Sequence, residues 1–217
     1  MTLCTKAEAV NEISKAINIL ASQQTLVLLS GGSSAEVGVG ALANVDKSLR
    51  SNITVMLADE RFVNYDSPDS NANLLRKLGI SRYCKEFIET IKPTGGTLEE
   101  TVSLFHDNAS HFADTSKHVV AVFGVGTDNH IAGILPNSLA TKPTDLLVFG
   151  YETEKFTRIT IGPKFFGNIT NAYIYAEGND KQEVINAINK DENYITHPSQ
   201  LIKHCRNWNI LFNKEKL

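Results

Sequence analysis

Cysteine is scarce in this chain of 217 residues, which holds Cys4, Cys84 and Cys205 and no others. Their number is odd and no two form a Cys-x-x-Cys pair, which argues against a disulfide framework and against a zinc knuckle. The histidines also lack the His-Glu-x-x-His spacing of a zinc enzyme. These absences favour a reduced, cytoplasmic setting and predict no metal site.

An excess of basic residues and long apolar runs are also absent. Lys and Arg number 21 against 24 Asp and Glu, for a net charge of −3, whereas nucleic acids and anionic membranes select basic surfaces. No apolar run approaches the ~18 residues of a spanning helix, and the N-terminus lacks a basic and then apolar leader pattern. We therefore expect a soluble protein with neither nucleic acid nor membrane as partner.

The chain does have an ordinary globular composition, with 42% hydrophobic and 21% charged residues, and residues 1–217 are predicted to form a single domain. Strand-like runs alternate with helical segments, which predicts a three-layer α/β fold: a doubly wound, mostly parallel, Rossmann-like sheet with helices on both faces. The predicted strands are Thr25–Leu29, Ile53–Ala58, His118–Gly124, Leu146–Tyr151, Arg158–Ile161, Asn171–Ala176 and Asn207–Phe212. The predicted helices are one carrying Val10, Ile13, Ile17 and Leu20, then Ser33–Val45, Asn71–Leu78, Leu98–Phe112 and Lys181–Asn189.

Short polar clusters directly follow the first three of these strands. The clusters are Ser30–Ser34, Asp59–Arg61 and Thr127–His130. Because ligands of open α/β sheets bind at the carboxyl ends of strands, we expect the three clusters to converge on one pocket.

The first cluster places two glycines between a strand and a helix. Glycines allow close approach of the backbone, and free amides at a helix start attract an anion such as phosphate. A nucleoside triphosphate loop is excluded because Gly-Lys-Ser/Thr is absent. One alternative is a tight turn with a serine cap. Another makes Ser33 a nucleophile on a strand-to-helix elbow, although Ala35 breaks the Gly-x-Ser-x-Gly pattern.

The second cluster contains a candidate substrate-binding arginine. Arg61 could hold a substrate oxygen with donors in fixed geometry, and Asp59 and Glu60 could position it. The alternative is a surface ion-pair cluster. The place of the cluster after an apolar strand favours the site.

The third cluster contains a candidate general base. Histidine accepts and returns a proton near neutral pH, so His130 suits this role, and Asp128 could orient it.

Lys181 follows Asn179-Asp180 at a predicted helix start, where the helix dipole disfavours a cation. An anionic ligand accounts for that position, and a solvated lysine is the alternative. The remaining histidines are expected to be structural or exposed: His106, His111, His118, His197 and His204.

Taken together, the motifs resemble the 6-phosphogluconolactonase family, within the glucosamine-6-phosphate isomerase/6-phosphogluconolactonase superfamily. They are, in chain order, Leu29–Ser33, Ala58–Val63, Asp69–Asn71, Gly124–Ala132, Arg158–Thr160, Gly178–Lys181 and the closing Pro198, Leu201 and Trp208. The resemblance covers about Thr25–Phe212.

This resemblance implies a single 6-phosphogluconolactonase-like domain that hydrolyses 6-phospho-D-glucono-1,5-lactone to 6-phospho-D-gluconate in the oxidative pentose phosphate pathway. It implies no cofactor, and a monomer or a homodimer. His130 would activate water beside Asp128, and Arg61 would contact the carbonyl oxygen. The resemblance assigns Gly31, Gly32, Ser33, Arg158 and Lys181 to the phosphate, with Asp59 also at the substrate site.

Two departures from the family pattern stand in the histidine loop. Asn129 replaces the usual glycine and Gly133 the usual serine. Asparagine tolerates left-handed backbone, so a positive φ is predicted at Asn129. The departures leave open a non-catalytic sugar-phosphate-binding homologue. A glucosamine-6-phosphate deaminase is the other alternative, but its family has Asp-Glu-Tyr in place of Asp59–Arg61 and an acid where this chain has Ile134–Pro136.

Overall fold

The apolar runs of the sequence form a central parallel sheet in the computed structural model, which describes residues 1–214. The strands are β1 (Thr2–Leu3), β2 (Thr25–Leu29), β3 (Ile53–Leu57), β4 (Asp59–Arg61), β5 (Glu86–Ile88), β6 (His118–Phe123), β7 (Val148–Glu152), β8 (Thr157–Ile161), β9 (Asn171–Glu177) and β10 (Asn207–Asn213). The helices are α1 (Lys6–Leu20), α2 (Ser33–Ala43), α3 (Asn71–Lys77), α4 (Leu98–Thr115) and α5 (Gln182–Ile188).

The main sheet has seven strands in the order β1-β10-β9-β6-β2-β3-β5, and every neighbouring pair is parallel. The chain steps outward from β2 to β3 and β5, and then crosses back to β6 on the other side of β2. Its direction along the sheet therefore reverses between β2 and β6. In doubly wound sheets the crevice at such a reversal receives the ligand.

Both faces of the main sheet are buried, because successive strand residues point to opposite sides. Val27 and Leu29 pack with α1, α2 and α3 on one face, whereas Leu28 and Met56 pack with α4 and α5 on the other. Every residue of β2 and β3 is buried. The predicted three-layer α/β fold with helices on both faces is confirmed.

A second, antiparallel sheet in the order β4-β8-β7 packs on the α4 side of the core. The sequence pattern predicts β7 and β8 as strands, but it places residues 59–61 in a polar segment and not in a strand paired with β8. It also misses β1 and β5, which have two and three residues and are too short to show a period. Strand partners are selected by packing, which local periodicity does not encode.

No helix within residues 1–214 combines the length and the apolar character that crossing a membrane requires. The predicted domain extends to residue 217, and residues 215–217 lie outside the described range. The single-domain assignment stays a prediction.

The buried carboxylate of Glu60, on β4, accepts hydrogen bonds from the start of α3 and so connects the two elements. Its Oε1 accepts hydrogen bonds from the amides of Arg61 (2.8 Å) and Asn71 (2.7 Å). Its Oε2 accepts from the amide of Ala72 (2.8 Å) and the hydroxyl of Ser70 (2.9 Å). Burial raises the pKa of Glu60, while these donors oppose the rise. Since α3 begins at these amides, Glu60 fixes the position of the helix start.

We predict that Glu60→Gln lowers the free energy of unfolding by about 2–4 kcal/mol, because an amide nitrogen cannot accept hydrogen bonds and leaves buried donors unpaired. Urea unfolding with an unchanged m-value measures this. The matched control is Glu99→Gln, an exposed glutamate in the first turn of α4, which should change stability by less than about 0.5 kcal/mol. Equal losses in the two variants would contradict the anchoring role of Glu60.

Candidate active site

The carboxyl ends of the central strands open into a cavity of about 270 Å³. Residues from all three polar clusters line it, together with residues from β8 and from the end of β9. The predicted site residues that line the cavity are Gly31, Gly32, Ser33, Asp59, Arg61, His130, Arg158 and Lys181. Asp128 is the exception, and it contacts His130. The structure thus brings the predicted residues together at the reversal point of the sheet.

The glycine loop after β2 presents backbone to this cavity. Gly32 precedes α2 with φ 69° and ψ −152° and has no side chain with which to cap the helix. The hydroxyl of Ser34 donates to the carbonyl of Gly31 at 2.9 Å, so the alternative of a serine N-cap is wrong. The first amides of α2 therefore have no side-chain cap, which is the arrangement that receives anions at helix starts.

The antiparallel pairing of β4 with β8 places two arginines side by side. Arg61 lies opposite Arg158, and Asp59 lies opposite Thr160. Alternation along β4 turns Asp59 and Arg61 toward the cavity and Glu60 away from it. Asp59 and Glu60 are 4% and 0% exposed, so the alternative of a surface ion-pair cluster is wrong.

The cavity leaves guanidinium donors without protein partners. Arg61 Nη1 donates to the carbonyl of Asp69 at 2.7 Å, and Arg158 Nη1 lies 3.9 Å from Asp59 Oδ2. Within residues 1–214, however, the Nε atoms of both arginines are buried and have no hydrogen-bond partner. Burial raises the pKa of Asp59, and the charges of Arg158 and Arg61 oppose that rise. Both arginine side chains line the cavity, so their guanidinium groups are placed to meet an anionic ligand there.

His130 sits in a tight loop that follows β6. The amide of Gly126 donates to the carbonyl of His130, and the amide of Asn129 donates to the carbonyl of Gly126, both at 3.0 Å. Asn129 has φ 71°, so the predicted positive φ is confirmed. Asp128 Oδ1 lies 2.6 Å from His130 Nδ1, and this hydrogen bond lowers the pKa of Asp128 to about 2. An ionised Asp128 therefore faces the imidazole at neutral pH.

Lys181 reaches the cavity from the turn after β9. This turn, Asn179–Lys181, precedes α5, so the helix begins at Gln182, one residue later than predicted. Lys181 is half-buried and lines the cavity, which argues against a freely solvated lysine. Within residues 1–214 it forms no ion pair closer than 4.0 Å, so its charge stays available to a ligand.

Sequence reasoning missed some of the cavity wall. Asn71, Tyr175 and Glu177 line the cavity but carry no predicted role. The rule that selected the three clusters applies equally to the end of β9, because this strand pairs with β6. Of the histidines in residues 1–214, His130 alone lines the cavity. No cluster of three or more metal-ligand side chains occurs in that range either.

Comparison with known proteins identifies the family of this chain. The profile of the family described as glucosamine-6-phosphate isomerases/6-phosphogluconolactonase matches residues 4–211. The chain belongs to this family. A 6-phosphogluconolactonase of Pseudomonas aeruginosa is 38% identical over 117 residues, which cover 53% of this chain and 48% of that protein. A probable 6-phosphogluconolactonase of Dictyostelium discoideum is 26% identical over 196 residues, which cover 86% and 83% of the two chains.

Solved structures of proteins named 6-phosphogluconolactonase have the same fold. A 6-phosphogluconolactonase from Thermotoga maritima superimposes with a TM-score of 0.79 at 20% identity, covering 99% of this chain and 98% of that one. The 6-phosphogluconolactonase from Trypanosoma brucei gives 0.78 at 20% identity, with 98% and 95% covered. At this identity the likeness is one of fold.

We predict that Asn129→Val separates His130 from Asp128, whereas Asn129→Gly keeps them in contact. A β-branched residue at φ 71° is strained, by roughly 1–2 kcal/mol or more, and the loop relaxes to relieve it, but glycine adopts this conformation freely. Nitrogen-15 NMR of labelled histidine reports whether Nδ1 keeps its proton and its hydrogen bond. Identical His130 signals in the valine and glycine variants would show that the loop does not depend on this φ.

Proposed function

We propose that this chain hydrolyses 6-phospho-D-glucono-1,5-lactone to 6-phospho-D-gluconate. The observation that carries the proposal is the His130–Asp128 pair, with 2.6 Å between Nδ1 and Oδ1, beside a cavity that Arg61, Arg158 and Lys181 also line. A base next to cationic groups suits hydrolysis of an anionic ester. Membership of the family and the relatives named as 6-phosphogluconolactonases support the same reaction.

His130 acts as the general base. The ionised carboxylate of Asp128 accepts the Nδ1 proton, which leaves the lone pair of the neutral imidazole on Nε2. Nε2 takes a proton from water as the water oxygen attacks C1 of the lactone. The tetrahedral intermediate then re-forms its carbonyl, the bond between C1 and the ring oxygen breaks, and the imidazolium returns the proton to that oxygen. The product acid ionises at neutral pH.

Arg61 stabilises the negative charge that develops on the carbonyl oxygen. Its side chain lines the cavity, and its Nη1 donates to the carbonyl of Asp69 at 2.7 Å. A donor held in place before the reaction needs little reorganisation as charge develops. Asp59, on the same face of β4, also lines the cavity, with its Oδ2 at 3.9 Å from Arg158 Nη1.

The phosphate binds at the carboxyl ends of β2 and β9. Gly31, Gly32 and Ser33 offer backbone amides at the start of α2, and Arg158 and Lys181 offer positive charge. A phosphate monoester carries about −1.5 to −2 charge at neutral pH. A chain with net charge −3 needs such a local concentration of cations to hold it.

We predict that His130→Ala lowers the lactonase kcat by about 10²–10⁴-fold while the protein stays folded, because loss of a general base typically has this effect. Turnover of freshly prepared 6-phospholactone is measured by proton release and corrected for spontaneous hydrolysis. His111→Ala, an exposed histidine on α4, is the control and should retain activity. Wild-type rates in folded His130→Ala would refute the mechanism, and deamination of glucosamine 6-phosphate by the wild type would favour the deaminase reading.

The activity should also fall as the pH is lowered from about 8 to about 5, because a protonated imidazole cannot accept a proton. Asp128 remains ionised over this range, since its pKa is lowered to about 2. The acid limb therefore does not arise from protonation of Asp128. It is measured as kcat/KM at each pH with the uncatalysed rate subtracted. A flat profile over this range would count against an imidazole base.

We predict that Lys181→Met raises KM for the 6-phospholactone by about tenfold or more, but changes turnover of unphosphorylated glucono-1,5-lactone by less than about twofold. The reason is that a hydrogen bond to a charged group contributes roughly 1.5–3 kcal/mol, and only the phosphorylated substrate uses it. Lys15→Met, an exposed lysine on α1, serves as the matched control. Equal losses for both substrates would show that Lys181 does not bind the phosphate.

A further inference from the structure

Asn71 is a buried polar residue of the cavity wall whose position is fixed by the backbone. It is the first residue of α3 and is 3% exposed. Its backbone amide donates to Glu60 Oε1 at 2.7 Å. Glu60 therefore places Asn71 at the edge of the cavity independently of any contact that the Asn71 side chain makes.

The side chain of Asn71 holds Asp59. Asn71 Nδ2 donates to the Asp59 carbonyl at 2.9 Å and to Asp59 Oδ2 at 3.3 Å. These two acceptors determine which end of the amide faces Asp59. The oxygen of this amide, Oδ1, faces Gly31. A Cβ atom added to Gly31 would lie only 2.1 Å from Asn71 Oδ1. Asn71 is thus enclosed between the acid and the glycine loop, in one orientation.

The same Asp59 Oδ2 lies 3.9 Å from Arg158 Nη1. Charged hydrogen bonds between guanidinium and carboxylate groups are about 2.7–2.9 Å long, so this pair stops roughly 1 Å short of direct contact. Arg158 is 13% exposed, and its Nε has no partner within residues 1–214. If Asp59 closed onto Arg158 in a bidentate pair, a phosphate would have to displace a buried carboxylate in order to bind.

We propose that Asn71 is a positioning residue that holds the Asp59 carboxylate away from Arg158 and so keeps this guanidinium available to the phosphate of the substrate. The inference rests on the proposed function, because it assumes a phosphorylated ligand in the cavity. Without the amide, Asp59 would be a buried carboxylate with too few donors, and Arg158 is the nearest cation to satisfy it.

The test is the affinity for 6-phosphogluconate, measured by calorimetry, since the product binds without turnover. Asn71→Ala should weaken binding about tenfold and raise KM to match, with kcat within about threefold of the wild type. Asn71→Leu, which has the same branched shape and no hydrogen-bond donor, replaces it if the alanine variant does not fold. The control is Asn73→Ala: this buried amide of α3 donates to the carbonyls of Asp66 and Ser67, so its loss should lower stability and leave affinity unchanged.

Rescue distinguishes positioning from a general loss of structure. Adding Asp59→Asn to Asn71→Ala removes the charge that would occupy Arg158, and should recover most of the affinity that Asn71→Ala alone loses. Unchanged affinity in Asn71→Ala, or a loss that persists in the double variant, overturns the inference. If the wild type hydrolyses the phospholactone and Asn71→Ala binds normally, only this inference fails. If the wild type neither hydrolyses nor binds sugar phosphates, the proposed function fails with it.

Discussion

The geometry of the site depends on Ala58, because this residue lies between β3 and β4 and hydrogen-bonds to both sheets. Its amide donates to the carbonyl of Leu29 in the parallel sheet, and its carbonyl accepts from the amide of Ile161 in the antiparallel sheet, each at 2.9 Å. The chain therefore passes from β3 into β4 within one residue. Alternation along β4 then sends two charged side chains into the cavity and turns Glu60 toward the start of α3.

The neighbouring carboxylates of Asp59 and Glu60 are both buried, but different groups compensate their charges. Glu60 is saturated by four donors at the start of a helix, which leaves it a structural role. Asp59 accepts a hydrogen bond from the side-chain amide of Asn71, and the Arg158 guanidinium lies farther away. Its negative charge is therefore less fully compensated than that of Glu60. Because a buried carboxylate attracts whichever donor is nearest, the placement of one amide decides how much positive charge remains for a ligand.

The backbone packs closely around His130 and Asp128, and this packing restricts which residues positions 126 and 129 can hold. A Cβ at Gly126 would lie 2.1 Å from His130 Nδ1 and 2.2 Å from Asp128 Oδ1, so the catalytic pair that we propose occupies the space beside that glycine. Asn129 supplies the positive φ that turns the loop, and its carbonyl also accepts the amide of Ser199 at 2.9 Å. Asparagine at position 129 is therefore compatible with the positive φ that this loop requires.

Local sequence was enough to place His130, Arg61 and the glycine loop at the carboxyl ends of strands, because apolar periodicity marks each strand and the polar cluster marks its end. The positive φ at Asn129 was predicted from the family resemblance, because the family has glycine at this position and asparagine tolerates the same conformation. The pairing of Arg61 with Arg158 and the contact of Asn71 with Asp59 were decided by tertiary structure alone. Arg61 and Arg158 are about 100 residues apart in sequence. Partners at such a distance are selected by packing between secondary-structure elements, and local sequence patterns do not encode that packing.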